Sequence, residues 1–144
     1  MASTAVKLGD VEDAFECVDA GGYGEIDAWV DRDSGAIFIR FPPGMAEQDP
    51  DLPDDIDTND RYSAVPGGRD LDLGVRLVMR FAYERMPEHA DTISDIFHRR
   101  GAYRRFKDFL DRQGRLEDWY DYERQAKLQA LREWCEDNNI VVVE

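Results

Sequence analysis

The chain has 144 residues, of which 42% are hydrophobic and 11% aromatic, and its formal net charge at pH 7 is −14. This composition is typical of one globular domain with a hydrophobic core and excludes a disordered chain. No apolar run approaches the roughly 20 residues of a membrane-spanning helix, and the N-terminus lacks the apolar segment of a secretory signal, so we expect a cytoplasmic protein without a membrane partner.

The negative charge lies almost entirely in the first part of the chain. Residues 1–60 contain 3 basic and 16 acidic residues, whereas residues 61–144 contain 15 basic and 16 acidic residues. We expect the acidic part to repel nucleic acid and anionic membranes and to favour a basic partner.

A short N-terminal helix is predicted from Asp10 to Val18. Apolar residues recur there every three or four positions, which lines one face of a helix, and Asp10 is a candidate N-cap. Gly21 and Gly22 are expected to end this helix.

A β-hairpin is the clearest strand prediction. Residues 25–30 and 36–41 alternate between apolar and other side chains, and residues 31–35 supply turn-forming aspartates and a glycine. Pro42-Pro43 should end the second strand, and residues 61–65 are expected to form a third strand of a small antiparallel sheet.

An acidic segment, Glu47–Asp60, follows the hairpin and contains too few apolar residues to predict a packed structure. Its alternating Asp and Asn side chains are similar to a calcium loop, but Asp60 and Pro66 stand where an EF-hand needs glycine and glutamate. We interpret the segment as a solubilising surface loop and predict no metal site in it.

Four further helices are predicted after residue 66, separated by proline or glycine. Their predicted ranges are 70–86 with Asp70 as N-cap, 91–100 with Thr92 and Asp95 as a capping box, 102–113 and 116–138. The β-branched tail, residues 140–143, is expected to add to a sheet edge.

This order of elements predicts an α+β fold in one domain of residues 1–144. Residues 1–66 are expected to contain the acidic helix, the hairpin and the acidic segment. Residues 67–144 are expected to form a C-terminal bundle of about four helices.

A basic-aromatic segment, residues 99–107, places five full positive charges beside a tyrosine. Its candidate partner-binding residues are Arg99, Arg100, Tyr103, Arg104, Arg105 and Lys107. This pattern suits an acidic protein or the phosphates and bases of a nucleic acid. The simpler interpretation is a solvated helix face on which Arg104, Asp108 and Arg112 pair at four-residue spacing.

Two more aromatic residues are candidates for partner binding, Trp29 in the hairpin and Tyr120 in the last helix. They qualify if their rings are exposed, because exposed aromatic rings anchor protein interfaces. Trp119, Tyr122 and Trp134 follow one helix face, and the core is the favoured location for these three and for Tyr120.

No catalytic residue, cofactor or metal site is predicted. Cys17 and Cys135 leave open a disulfide or two thiols, and the thiols are favoured in a cytosolic protein. With His89 and His98 they lack the short spacing of zinc ligands. Asp95 lies three residues before His98, but without a nucleophile we expect this pair to be structural.

Three motifs in the last third of the chain carry a family resemblance. They are Gly-Ala-Tyr-Arg-Arg-Phe-Lys-Asp at 101–108, Glu-Asp-Trp-Tyr at 117–120 and Glu-Trp-Cys-Glu-Asp-Asn-Asn-Ile at 133–140. Together they resemble a bacterial family of uncharacterised proteins of the UPF type. The resemblance continues more weakly through the hairpin turn and residues 80–87.

The chain departs from that family at three places. Cys135 and Asn139 stand where the family tends to have leucine and glycine, and the acidic segment is unusual. Asn139 is still expected to end its helix in the left-handed conformation. The resemblance implies no activity, cofactor or catalytic residue.

The sequence therefore predicts a non-catalytic module that binds another protein through the acidic segment or the basic-aromatic segment. Two alternatives remain open. One is a nucleic-acid role, by contact through residues 99–107 or by acidic mimicry of a phosphate backbone. The other is an enzyme with an unfamiliar site. The sequence does not define the oligomeric state.

Overall fold

The structure, a computed structural model, describes residues 4–20 and 25–144. The chain divides into unit 1, Met1–Gly67 with Leu128–Glu144, and unit 2, Gly68–Lys127. The predicted helix end at Gly21 and Gly22 lies outside the described residues. In the described ranges, no helix is both long and apolar enough to cross a membrane.

The described elements confirm the predicted α+β class. In chain order they are β1 (Val6–Lys7), α1 (Leu8–Ala20), β2 (Asp27–Asp31), β3 (Ile37–Arg40), β4 (Tyr62–Ala64), α2 (Val75–Arg85), a 3-10 turn (Pro87–His89), α3 (Ala90–Ile96), α4 (Ala102–Arg112), α5 (Leu116–Asp137) and β5 (Val142–Val143).

Unit 1 contains a three-stranded antiparallel sheet with β2 in the centre, in the order β3-β2-β4. Trp29 pairs with Phe38 on one side and with Ala64 on the other. The predicted hairpin and third strand are confirmed, with ends shifted by at most two residues. Gly35 in the turn has a φ of 77°, and a Cβ there would lie 3.3 Å from the Thr4 carbonyl oxygen, so the position favours glycine.

The hairpin turn is organised by the buried carboxylate of Asp31. It accepts hydrogen bonds from the Asp33 backbone N–H and the Ser34 hydroxyl, and from Arg61 Nε and Nη2 at 3.1 and 2.7 Å. Burial alone would raise the pKa of Asp31. The hydrogen bonds, with Arg61 foremost, outweigh burial and lower this pKa from 3.8 to about 2.

The two ends of the chain meet within unit 1. β1 and β5 form a separate two-stranded parallel sheet in which Val6 lies opposite Val142. The tail therefore adds to a strand as predicted, but its partner is β1 and not the three-stranded sheet. α1 begins at Leu8, so Asp10 lies in its first turn and is not the N-cap. A carboxylate in that turn still stabilises the helix N-terminus.

Unit 2 has an aromatic core formed by α2, α3, α4 and the first half of α5. Its buried residues are Leu77, Val78, Phe81, Ala82, Met86, Ala90, Ile93, Phe106, Leu110 and Trp119. Trp119 lies edge-on to Phe81 and Phe106, with ring centroids 5.3 and 5.1 Å apart. The prediction that Trp119 belongs to the core is confirmed, and Tyr122 is half-buried beside it.

α2 begins later than predicted. Asp70 is not its N-cap, because the helix starts at Val75 after Gly74. Asp72 has a φ of 55°, a left-handed conformation that a right-handed helix cannot continue.

α3 is shorter than predicted and has a different cap. It follows His89, so Thr92 and Asp95 lie inside the helix and form no capping box. It ends at Ile96, and the next residues turn towards Gly101, whose φ is 69°.

Candidate interaction surface

The basic-aromatic segment covers the turn before α4 and the first half of α4 in unit 2. Arg99 and Arg100 lie in the turn before Gly101, and the other members belong to α4. The six candidate partner-binding residues of the segment are all exposed. The turn and the helix therefore present one continuous stretch of cationic side chains to solvent.

α4 is held by the core through the face opposite to its charges. Phe106 and Leu110 are fully buried, whereas Arg104 and Arg105 on the same helix are exposed. This separation follows from the helical period, which places positions 106 and 110 on one side.

The arginines of the segment are unpaired. Within the described residues, the side chains of Arg99, Arg100, Arg104 and Arg105 form no ion pair and no hydrogen bond. The ion-pair ladder predicted from Arg104 through Asp108 to Arg112 is also absent from the described part of the chain. Exposed pairs of this kind gain only about 0.3–0.5 kcal/mol, so water competes with them effectively.

Tyr103 connects the segment to the core. Its ring meets the Phe97 ring edge-on, with centroids 5.0 Å apart, and 44% of the residue is exposed. Burial first and the charge of Glu123 second raise the pKa of Tyr103. Its hydroxyl therefore remains protonated at neutral pH and is available as a hydrogen-bond donor.

Tyr120 on α5 extends the surface beyond the segment. Lys107 Nζ lies 5.7 Å from the centroid of the Tyr120 ring, and Tyr120 is 41% exposed. This cation–π contact brings together two predicted partner-binding residues from different helices. We call the basic-aromatic segment together with Tyr120 the basic-aromatic surface.

Trp29 was a candidate for partner binding only if its ring was exposed, and the structure shows that it is buried. Only 6% of the residue is exposed, and the Arg40 guanidinium carbon lies 4.8 Å from its ring centroid. β2 is the central strand and its side chains are buried on both faces from Ala28 to Asp31, which the simple alternation pattern did not predict. Trp29 is therefore left out of the basic-aromatic surface.

The acidic segment is more closely tied to unit 1 than its composition predicts. Ile56 in its middle is buried, although the segment was expected to pack nothing. Arg40 binds Asp57 at 2.9 Å and Asp27 at 3.0 Å, which links the segment to the sheet. These contacts are joined by hydrogen bonds between Gln48 and the Phe41 backbone and between Arg32 and the Asp60 carbonyl oxygen.

The residues considered for catalysis or metal binding do not converge. His98 is exposed, and its Nδ1 lies 2.8 Å from the Ser94 carbonyl oxygen and not beside the Asp95 carboxylate. Across residues 4–20 and 25–144, no three His, Cys, Asp or Glu side chains are grouped to hold a metal ion. Cys17 and Cys135 are free thiols, and burial raises the pKa of Cys135 to about 11.

One polar cluster of unit 2 was missed from the sequence. Tyr122 Oη lies between Arg80 and Glu84, accepting from the first and donating to the second. The four-residue spacing on α2 indicates a direct pair between Arg80 and Glu84. The tyrosine that separates them comes from α5, and no local pattern identifies it.

The comparison with protein families identifies a match to the family described as "Uncharacterised protein family (UPF0158)", over residues 6–144. The chain belongs to this family. No curated protein matches the chain. No solved structure matches it either. The family description assigns no activity, so the function has to be argued from the surface itself.

Proposed function

We propose that this protein is a non-catalytic module that binds an acidic surface of another protein through the basic-aromatic surface. The observation that carries this proposal is the set of four arginines without a partner among the described residues, in a chain with 32 acidic residues. An unpaired guanidinium presents five N–H donors in a planar fork that matches a carboxylate. A partner with several clustered carboxylates would occupy these donors.

The tyrosines supply the second component of an interface. Tyr103 and Tyr120 are 44% and 41% exposed, and both rings are held against neighbouring side chains. Tyrosine and arginine are enriched among the residues that contribute most to protein binding. Tyrosine buries a large area at a low cost in side-chain entropy, and arginine offers several N–H donors in a planar fork.

Nucleic-acid binding is the second candidate function, and the mixture of arginines with exposed tyrosines favours it, since bases stack on such rings. The charge balance favours a protein. Unit 2 contains 13 basic and 12 acidic residues, and unit 1 contains 5 basic and 20 acidic residues. A long polyanion is repelled by a molecule of net charge −14, whereas a compact acidic patch needs to contact only the basic-aromatic surface.

Photo-crosslinking in the native host tests the proposal. The variant Tyr103→p-benzoylphenylalanine places a crosslinker in the surface, and Tyr83→p-benzoylphenylalanine is the matched control on α2, where the residue is 64% exposed. We expect a protease-sensitive, nuclease-resistant adduct from position 103 only. A nuclease-sensitive adduct would support the second candidate. No adduct, or equal adducts from both positions, would contradict the proposed surface.

A further inference from the structure

We infer that a groove between α2 and α5 in unit 2 binds a small zwitterion, a molecule of amino-acid or short-peptide size that carries both an ammonium and a carboxylate group. The groove has a volume of about 510 Å³, within the range of small-molecule sites. The side chains that carry the inference are Arg80, Glu84, Arg85, Asp121, Tyr122 and Gln125.

Tyr122 fixes the arrangement of the groove. Arg80 Nε donates to the Tyr122 hydroxyl at 2.9 Å, and the hydroxyl donates to Glu84 Oε2 at 2.8 Å. The ring packs edge-on against Phe81, with centroids 5.2 Å apart. Burial first and the hydrogen bond to Glu84 second raise the pKa of Tyr122, so the bridging proton stays in place at neutral pH.

The groove offers cationic groups that no carboxylate occupies. Arg80 uses Nε for Tyr122, and the Arg85 guanidinium carbon lies 5.6 Å from the centroid of the same ring. In the described part of the chain, neither arginine forms an ion pair. Arg115 Nη2 donates to the Arg85 backbone carbonyl at 3.1 Å, which ties this end of α2 to the start of α5.

The groove also offers carboxylates that no cation occupies. Asp118 is neutralised by Arg115 at 2.7 Å, but Asp121 has no ion-pair partner among the described residues. Glu84 accepts a hydrogen bond from Tyr122 and forms no ion pair in the same residues. The lining therefore presents two guanidinium groups and two carboxylates that do not neutralise each other.

The coexistence of both signs selects the ligand class. A simple anion would be attracted by Arg80 and Arg85 but repelled by Glu84 and Asp121. A simple cation would be attracted by the two carboxylates and repelled by the two arginines. A molecule with one group of each sign satisfies both sets, because each end finds its opposite charge. Gln125 adds an amide that can donate and accept along the body of such a ligand.

This inference is independent of the proposed protein partner, because Arg85 and Asp121 are not part of the basic-aromatic surface. An experiment can therefore contradict the zwitterion site and leave the proposed protein partner standing, or the reverse.

The test uses triglycine as probe, with N-acetyl-triglycine, which lacks the ammonium, and triglycine amide, which lacks the carboxylate. NMR titration of the full chain follows the Gln125 side-chain amide and the Arg85 Nε–H. We expect saturable shifts with triglycine and at least about tenfold weaker binding of each blocked probe, equivalent to one charged contact.

Two charge-removing variants assign the ends. In Arg85→Gln we expect the preference for triglycine over its amide to decrease, and in Asp121→Asn we expect the preference for triglycine over its N-acetyl form to decrease. The matched controls Arg112→Gln and Asp108→Asn change exposed charges on α4 and should retain the wild-type preferences. The inference is overturned if triglycine gives no shifts up to tens of millimolar, if the three probes bind equally to the wild type, or if neither groove variant changes the preference.

Discussion

At the scale of single residues, Asp31 is buried and yet ionised, because hydrogen-bond donors surround its carboxylate. Its carboxylate receives N–H and O–H donors from the turn itself and a two-pronged contact from Arg61, thirty positions away. The local sequence predicts that residues 31–35 turn, because aspartate and glycine are typical of turns. It does not predict the contact with Arg61, which depends on the pairing of β4 with β2.

Asp31→Asn is expected to lower the free energy of unfolding by about 2 kcal/mol at pH 5, since the amide cannot neutralise Arg61. A depressed pKa contributes stability above the unfolded value of 3.8, and this contribution is lost as the pH falls through about 2. The difference in the free energy of unfolding between wild type and variant should therefore decrease towards pH 2. Urea unfolding at a series of pH values measures it.

The control for this prediction is Asp33→Asn. The Asp33 carboxylate is 69% exposed and lies 3.8 Å from Arg61, so its removal should change stability by less than about 0.5 kcal/mol. If Asp31→Asn lowers the free energy of unfolding by the same amount at pH 2 and at pH 5, the carboxylate charge is not what stabilises the turn.

At the scale of elements, α4 and α5 end in the same way. Residues Gly114 and Asn139 adopt left-handed φ values of 69° and 59°. The following N–H groups reach back to Leu110 and Cys135, each at 2.8 Å. This is the Schellman geometry, which satisfies carbonyl groups at a helix end. The prediction that Asn139 can replace glycine in this role is confirmed.

Gly114→Ala is expected to lower the free energy of unfolding by about 1 kcal/mol, because a Cβ is strained at positive φ. A Cβ there would meet no atom within 4 Å, so the cost is that of the backbone alone. The matched control Gly9→Ala lies within α1 at an ordinary helical position with equally open space and should raise stability by up to about 1 kcal/mol. Urea unfolding of both variants checks the opposite signs. Effects of the same sign would contradict this explanation.

The elements also show where reading the sequence succeeds and where it stops. The existence of the helices, the hairpin and the final β-branched tail follows from spacing and turn residues, which are local. The predicted start of α2 was wrong. The pattern indicated a helix at Asp72, but this residue adopts a left-handed conformation. The burial of Trp29 and the Arg80–Tyr122–Glu84 contacts depend on packing between distant segments, which no local pattern indicates.

For the whole molecule, the distribution of charge limits how it meets a partner. Unit 1 carries all of the excess negative charge, whereas basic and acidic residues are nearly balanced in unit 2. The sequence alone located the basic-aromatic segment, but it favoured an internal ion-pair ladder there. The structure leaves those arginines unpaired within the described residues, and the proposed protein partner is argued from this observation.

The central claim is tested most directly by affinity capture from native host lysate with two charge-matched variants. Arg104→Glu/Arg105→Glu reverses two charges within the basic-aromatic surface. Arg76→Glu/Arg112→Glu makes the same change in net charge at two exposed positions outside that surface, one of them 86% exposed. Both variants should remain folded, because all four side chains are exposed.

We predict that wild type and Arg76→Glu/Arg112→Glu capture the same protein after nuclease treatment, and that Arg104→Glu/Arg105→Glu recovers at least about tenfold less, the effect of losing one or more charged contacts. If the surface variant retains the partner, if both variants lose it equally, or if the wild type captures no protein, the basic-aromatic surface is not the site through which this protein acts.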